Sequence, residues 1–459
     1  MIISDVLAKQ REFYKNQNTK SYSFRKNALD KLHQCIIKNT NKISDALYSD
    51  LNKPPVESYM TEIGMVLDEI SYAKKNLKKW MKPKKVKTPF SQFPAKSFIL
   101  NQSLGSVLIM SPWNYPFMLS LCPLVGALAA GNCVIIKPSA YSSATSAIIK
   151  KIINFVFDEN YVAVVEGGRL ENTALLEEKF DYIFFTGSAA VGKTVMEYAS
   201  KNLTPITLEL GGKSPCIVDK PANHDLGAKR LVFGKFLNAG QTCVAPDYLL
   251  VQKDVKDQLL SYIKKYILKF FGENSQNSAD YTKIINSHHF SRIASLIENE
   301  EKTNIYFGGN FNSDTLKISP TVIINQTFAS KLMEDEIFGP ILPVLTFDSI
   351  NETIFEINKR ATPLALYLFT TNKQTENKIL SQISFGGGCV NDTIIHLATN
   401  KMPFGGVGES GMGRYHGKFS FDTFSHKKSI LKKSNLIDLP FRYRPYTEKN
   451  MNIIKKFMK

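Results

Sequence analysis

Between Asn132 and Leu210, short apolar runs and amphipathic stretches alternate without a break, and this alternation limits the possible folds more than any other feature of the chain. Asn132–Ile136, Tyr161–Val165, Asp181–Phe185 and Ile206–Leu210 have strand length and are mostly apolar, whereas Ser142–Phe157, Glu171–Lys179 and Val191–Lys201 carry helical spacing. Strands buried on both faces read as such runs. Strand and helix in succession predict a doubly wound parallel sheet, hence an α/β fold, with ligands bound beyond the carboxyl ends of its strands.

The flanking sequence extends this plan. The first eighty residues carry apolar positions at helical spacing (Ala28, Leu29, Leu32, Cys35, Ile36, then Ile43, Leu47, Leu51). A further helical pattern runs from Tyr59 to Trp80 and ends in the turn-rich MKPKKVKTPFSQFPAK. From Gly211 a second α/β pattern begins, with helices expected near Asp225–Leu237 and Val255–Phe270 and strands near Leu249–Val251, Val344–Phe347 and Leu366–Phe369. From Tyr415 the chain is polar and basic, reading as a strand or tail that packs on a partner chain. The expected division is a dinucleotide-binding domain over 1–84 and 103–210, a catalytic domain over 211–400, and an oligomerisation element formed by 85–102 with 415–459.

Lys and Arg exceed Asp and Glu by 58 − 41 = 17. The excess is dispersed as single and paired lysines, so no nucleic-acid partner is expected, and the basic C-terminus supports at most peripheral contact with an anionic membrane. Ser97–Ile136 contains no charged residue, but Pro112, Asn114, Pro116, Pro123, Gly126, Gly131 and Asn132 interrupt it, which predicts a strand, a loop and a buried helix rather than a membrane span. The six cysteines form no C-x-x-C pair. With charges early in MIISDVLAKQREFY, this predicts free thiols and a cytoplasmic location.

The strongest chemical signal is Phe236–Asp247, FLNAGQTCVAPD, which places Cys243 on a turn beside small and polar residues that leave room for a nucleophilic thiol. Cys122, Cys133 and Cys216 lie in apolar runs and read as core, and the pair His288 and His289 has no further spaced ligands, so no metal is expected. Thr186–Gly192 (TGSAAVG) links a strand to a helix whose backbone N–H groups suit a pyrophosphate, with Gly187, Ser188 and Gly192 as candidates. The overlapping Gly187–Thr194 (GSAAVGKT) also satisfies the phosphate-loop formula G-x-x-x-x-G-K-[ST], so phosphate transfer stands as an alternative. Its metal-binding aspartate would have to be Asp219.

Taken with Leu208–Pro215 (LELGGKSP) and Ser111–Pro116 (SPWNYP), the GQTC segment resembles the signature set of the aldehyde dehydrogenase superfamily from about Ser21 to His426. GGKSPC, GQTCVAPDY, EIFGP and PFGGVGESGMGRYHG make the chain most similar to the class 3 and fatty aldehyde dehydrogenase branch. The resemblance implies NAD(P)-dependent oxidation of a medium- or long-chain aliphatic or an aromatic aldehyde to the acid. Cys243 would be the nucleophile, Asn114 the oxyanion donor and Glu209 the base that activates the hydrolytic water. Glu336 would bind the nicotinamide ribose beside Phe338, although this branch also admits it as the base, and Trp113 is counted with the cofactor contacts. Lys137 would bind the adenosine ribose. Tyr115, Ile394 and His396 would shape the aldehyde tunnel, and a homodimer is implied. Ala140 stands where many NAD-preferring relatives carry an acid, which leaves NADP as well as NAD open as cofactor. A CoA-acylating variant would not need Glu209, and a silent relative would have lost Cys243, Asn114 or Glu209.

Overall fold

The computed structural model describes residues 2–458. The expected parallel sheet is present: Ser106–Met110, Cys133–Lys137, Val162–Val164, Tyr182–Thr186 and Ile206–Glu209 pair in parallel. Numbered in chain order, these five lie 3-2-1-4-5 across the sheet, and Gly411–Met412 closes one edge antiparallel to Ile206–Glu209. That order is the doubly wound one, and it reverses between Ser106–Met110 and Tyr182–Thr186, where a crevice opens for a ligand.

The charge-free stretch supplies the centre of this sheet. It runs from the strand Ala95–Ser103 through Ser106–Met110 into the helix Pro116–Ala130, whose residues are all buried. Among the described residues no helix is long and apolar enough to cross a membrane. The predicted Tyr59–Trp80 helix differs at its start, where Tyr59–Ile63 form a π-helical turn before the α-helix Gly64–Met81. Gly64 permits the wide turn, because a Cβ there would sit 2.8 Å from the Tyr59 carbonyl oxygen. Such turns insert an extra residue and re-aim side chains.

The second α/β pattern forms a seven-stranded sheet built around Pro215–Val218, Tyr248–Gln252, Ile341–Phe347 and Ala365–Phe369. One apolar core joins the N-terminal helices to both sheets through Leu29, Ile36, Val107, Ile136, Val218 and Leu249. The polar end is more structured than a tail. It forms a short helix Gly417–Thr423, the strand Ser425–Lys433, which pairs antiparallel with Ala95–Ser103 along its whole length, and the helix Glu448–Phe457.

Candidate active site

The helix His224–Phe236 ends in an unusual turn: Asn238, Ala239 and Gly240 are all left-handed, with φ of 53°, 52° and 73°. Two non-glycine residues hold this strained conformation only because their surroundings fix it. The Asn238 amide donates to the carbonyls of Asn114 (2.9 Å) and Gln241 (3.1 Å), and its backbone N–H donates to Glu57 Oε1 (2.9 Å). Gln241 Nε2 donates to the carbonyls of Asn238 and Lys283, each at 3.0 Å, while its Oε1 accepts from Ile285 N (3.1 Å). A Cβ on Gly240 would lie 2.3 Å from the Gly339 carbonyl oxygen, so only glycine fits. Cys243 follows, half-buried. Burial, with the charges of Glu336 and Glu209 nearby, pushes its thiol up to about 12.

Asn114 is buried and its Nδ2 donates to the Gln241 carbonyl at 3.0 Å. An amide nitrogen carries two N–H groups, so one remains available. Beneath it lies an ion pair that sequence reading did not find: Lys53 Nζ to Glu62 Oε1 at 2.5 Å, both side chains wholly buried. Lys53 also donates to the Asn114 carbonyl (3.2 Å) and lies 4.3 Å from the Tyr115 ring centroid. Glu62 Oε2 accepts from Phe117 N (2.9 Å) and Met118 N (3.2 Å), at the positive start of the helix Pro116–Ala130.

Glu209 ends its strand 2% exposed, and among the described residues neither carboxylate oxygen has a hydrogen-bond partner. Desolvation holds its pKa well above the ordinary glutamate range. Glu336 is better supported. Burial and the Asp247 charge push it up to about 8, while the Gly212 N–H and the charges of Lys213 and Lys235 act against that rise. Gly211 makes the approach possible, since a Cβ there would lie 2.1 Å from Glu336 Oε2.

Two hollows meet at this cluster, and a third lies beyond the strand ends of the first sheet. A chamber of about 220 Å³ is lined by Trp113, Asn114, Gly187, Ser188, Glu209, Cys243, Glu336 and Phe338. The rings of Trp113 and Phe338 meet edge to face at 5.4 Å. His289 and Arg292 line it too, unforeseen from sequence. Beyond the strand ends lies a groove of about 580 Å³ whose lining includes Lys137, Ala140, Arg169 and Tyr198. On the other side of Cys243 an apolar cavity of about 140 Å³ is walled by Met60, Met65, Tyr115, Met118, Phe233 and Ile394, among others. Cys243 and Leu119 line both this cavity and the chamber.

Two predicted residues sit apart. Gly192 lines none of these hollows. It lies inside the helix Ala189–Ser200, where a Cβ would meet Leu210 at 2.8 Å, so its absent side chain serves helix packing. His396 is not among the side chains lining the apolar cavity. Its ring lies 6.0 Å from those of Tyr367 and Phe404, its Nδ1 is 3.7 Å from Cys389 Sγ, and burial lowers it to about 4. The phosphate-loop alternative also fails on geometry: the helix starts at Ala189, leaving no loop between Gly187 and Lys193 to wrap a phosphate, and the carboxylate of Asp219 accepts from Thr370 Oγ1 at 2.5 Å. Among the described residues no group of three or more His, Cys, Asp or Glu is placed to hold a metal.

A doubly wound sheet with a crevice at its switch point, beside a chamber that gathers a cysteine, an amide and a buried carboxyl, has the architecture of a dinucleotide-binding enzyme. The sequence model of the aldehyde dehydrogenase family matches residues 3–430, and the chain belongs to that family. It is 49% identical to the 4,4′-diaponeurosporen-aldehyde dehydrogenase of Staphylococcus aureus, over 100% of this chain and 99% of the relative. It is 44% identical to the dimeric NADP-preferring aldehyde dehydrogenase of Rattus norvegicus, over 95% of each. The solved substrate-bound state of Staphylococcus aureus AldH superposes with a TM-score of 0.98 at 49% identity, covering 100% of both chains. An NAD-dependent aldehyde dehydrogenase of Sinorhizobium meliloti superposes with a TM-score of 0.86 at 26% identity, covering 95% of this chain and 88% of that one. The protein is an aldehyde dehydrogenase related to the class 3 members, oxidising aldehydes to acids with NAD or NADP.

Proposed function

We propose that Cys243 carries the acyl group through a thioester, on the observation that it alone among the ionisable side chains of the described residues lines both the apolar cavity and the polar chamber. The aldehyde enters from the apolar side, and sulfur bonds to its carbonyl carbon as the thiol proton passes to a carboxylate. The developing oxyanion is held by the second N–H of Asn114 Nδ2 and the backbone N–H of Cys243. The groove and chamber fit a dinucleotide: Lys137 at the end of Cys133–Lys137 is buried with its ammonium on the Pro138 and Gly167 carbonyls (2.8 and 2.7 Å), ready for a ribose hydroxyl. Gly187 and Ser188 would lie against the pyrophosphate, and Glu336, Phe338 and Trp113 around the nicotinamide end. A bound dinucleotide would supply the acceptor for the hydride that leaves the tetrahedral carbon.

Hydrolysis falls to Glu209. Its unpartnered carboxylate is free to take a proton from water, whereas Glu336 is engaged by the Gly212 N–H and nearby lysine charges. Water adds to the thioester, the carbon–sulfur bond breaks, and the acid leaves with the thiol restored. The apolar lining favours medium- or long-chain aliphatic or aromatic aldehydes, in keeping with the relative named for 4,4′-diaponeurosporen-aldehyde. We assign the division at about Gly211 to dinucleotide-binding and catalytic domains. A homodimer held through 85–102 and 415–459 accords with the relative named dimeric, and six free thiols accord with a cytoplasmic location.

The test is reduction of NAD⁺ and NADP⁺ with hexanal and benzaldehyde, without CoA, by the parent and by Cys243→Ala. Turnover in the parent and none in the variant supports the thioester. Undiminished turnover in Cys243→Ala overturns it.

A further inference from the structure

The groove beyond the strand ends carries a charge pattern that a plain adenosine ribose does not ask for. A ribose diol is usually recognised by a carboxylate, and a ribose 2′-phosphate by an arginine. Among the described residues lining the groove there is no Asp or Glu, while Lys137 and Arg169 are both present and Ala140 offers no charge. The carboxylates of the adjoining loop and helix, Glu166, Glu171 and Glu177, stay outside the lining: Glu166 Oε2 pairs with Lys150 Nζ at 2.7 Å and Glu171 Oε2 accepts the Gly168 N–H at 2.6 Å, though both of these charges also act on Lys137. Lys137 spends two of its three donors on the Pro138 and Gly167 carbonyls.

Arg169 differs. It opens the helix Arg169–Glu177 at the groove wall, its side chain is exposed, and among the described residues its guanidinium has neither an ion-pair nor a hydrogen-bond partner. Asn172 and Thr173, one turn along the same helix, line the groove beside it and add neutral polar groups. A guanidinium presents five N–H groups in a fork that matches phosphate oxygens.

We propose that Arg169 is the specificity-determining residue for a 2′-phosphate on the cofactor's adenosine ribose, so that this enzyme favours the phosphorylated dinucleotide. The inference rests on the groove being the adenosine site. Arg169 is exposed and unpaired, so its replacement leaves folding and the reacting groups intact.

The experiment is calorimetric titration of the full chain with 2′,5′-ADP and with AMP, for the parent, Arg169→Ala, Arg169→Glu and Arg169→Lys, alongside kcat/KM for NADP⁺ and NAD⁺. The parent is expected to bind 2′,5′-ADP more tightly than AMP. Arg169→Ala is expected to weaken 2′,5′-ADP at least tenfold while moving AMP less than twofold, with Arg169→Glu weaker still and Arg169→Lys intermediate. The NADP⁺/NAD⁺ ratio of kcat/KM falls in parallel. Equal losses for both nucleotides, or none for either, overturn the role of Arg169. Failure of the parent to bind either nucleotide would instead remove the adenosine-site reading beneath it.

Discussion

Gly240→Ala adds one methyl group three residues before the nucleophile and changes no group that touches substrate. Its backbone has φ of +73°, where an L side chain is strained by about 1 kcal/mol. The larger effect is steric. The added Cβ would lie 2.3 Å from the Gly339 carbonyl oxygen, and ordinary contact begins at 3.4 Å, so the two loops must part by about 1 Å. Gly339 cannot retreat freely, because its own Cα abuts Ile293, which a Cβ there would meet at 2.7 Å. The turn therefore moves and carries Cys243 with it. A misplacement of about 1 Å costs on the order of 100-fold in rate, or roughly 2.7 kcal/mol of barrier. The assay is stopped-flow NAD(P)H formation with benzaldehyde, read with 2′,5′-ADP titration and near-ultraviolet circular dichroism to show that the variant is folded. A burst rate within twofold of the parent in a folded Gly240→Ala protein would refute the argument that this turn sets the position of the sulfur.

Other outcomes follow from the same geometry. Glu209→Gln should release about one equivalent of NAD(P)H per active site and then stall, with steady turnover down roughly 10² to 10⁴-fold; full steady turnover would move the hydrolytic role to another group. With its pKa raised to about 8 in the fold, Glu336 contributes stability that is fully present below its ordinary 4.5 and lost as pH rises towards 8. The melting-temperature advantage of Glu336→Gln over the parent should therefore widen from pH 5 to pH 8, and a constant gap would contradict the buried-acid assignment. Lys53→Met leaves Glu62 buried without its cation and should destabilise by about 3–5 kcal/mol, with partial recovery in Lys53→Met/Glu62→Gln, measured by denaturant unfolding. Without coenzyme, a Cys243 thiol near 12 predicts that its iodoacetamide alkylation rate rises about tenfold per pH unit from 7 to 9; a plateau below pH 9 would show an acidic thiol instead.

The parallel strands of the first sheet were legible because they are almost wholly buried, so sequence continuity alone marks Cys133–Lys137 and Tyr182–Thr186. Gly387–Val390 was not, since GGCV carries neither β-branched weight nor alternation and is a strand only because Ala365–Phe369 pairs with it. Cys243, Asn114, Glu209 and Glu336 were singled out by short motifs with strong spacing, and the structure brings the four to one chamber. Lys53 and Glu62 were not, because a lysine and a glutamate in a basic helical segment read as surface charges until the π-turn and the start of Pro116–Ala130 bring them together. Gly192 shows the converse. It belongs to a phosphate-like motif, yet its small size is explained by Leu210 across a helix–strand contact that sequence order does not reveal.

The electrostatics of the site also constrain how the thiol is activated. Everything charged that bears on Cys243 is negative: Glu336 and Glu209 add to burial in raising its pKa, and only the backbone N–H groups of Cys243 and Val244 oppose them. A standing thiolate of the kind made by a neighbouring cation or a helix start has no support here. The same burial that raises the thiol also raises both carboxyls, so the thiol near 12 and Glu336 near 8 stay about as far apart as the two groups are in water, and burial alone does not favour the transfer. On the proposed mechanism the transfer from sulfur to carboxylate becomes feasible only as the carbonyl carbon closes on the sulfur, because the charge that leaves the carboxylate reappears on an oxygen held by Asn114 and the Cys243 N–H. A neutral resting thiol protects a cavity open to reactive aldehydes and oxidants, and the nucleophile forms only when a substrate occupies the apolar side.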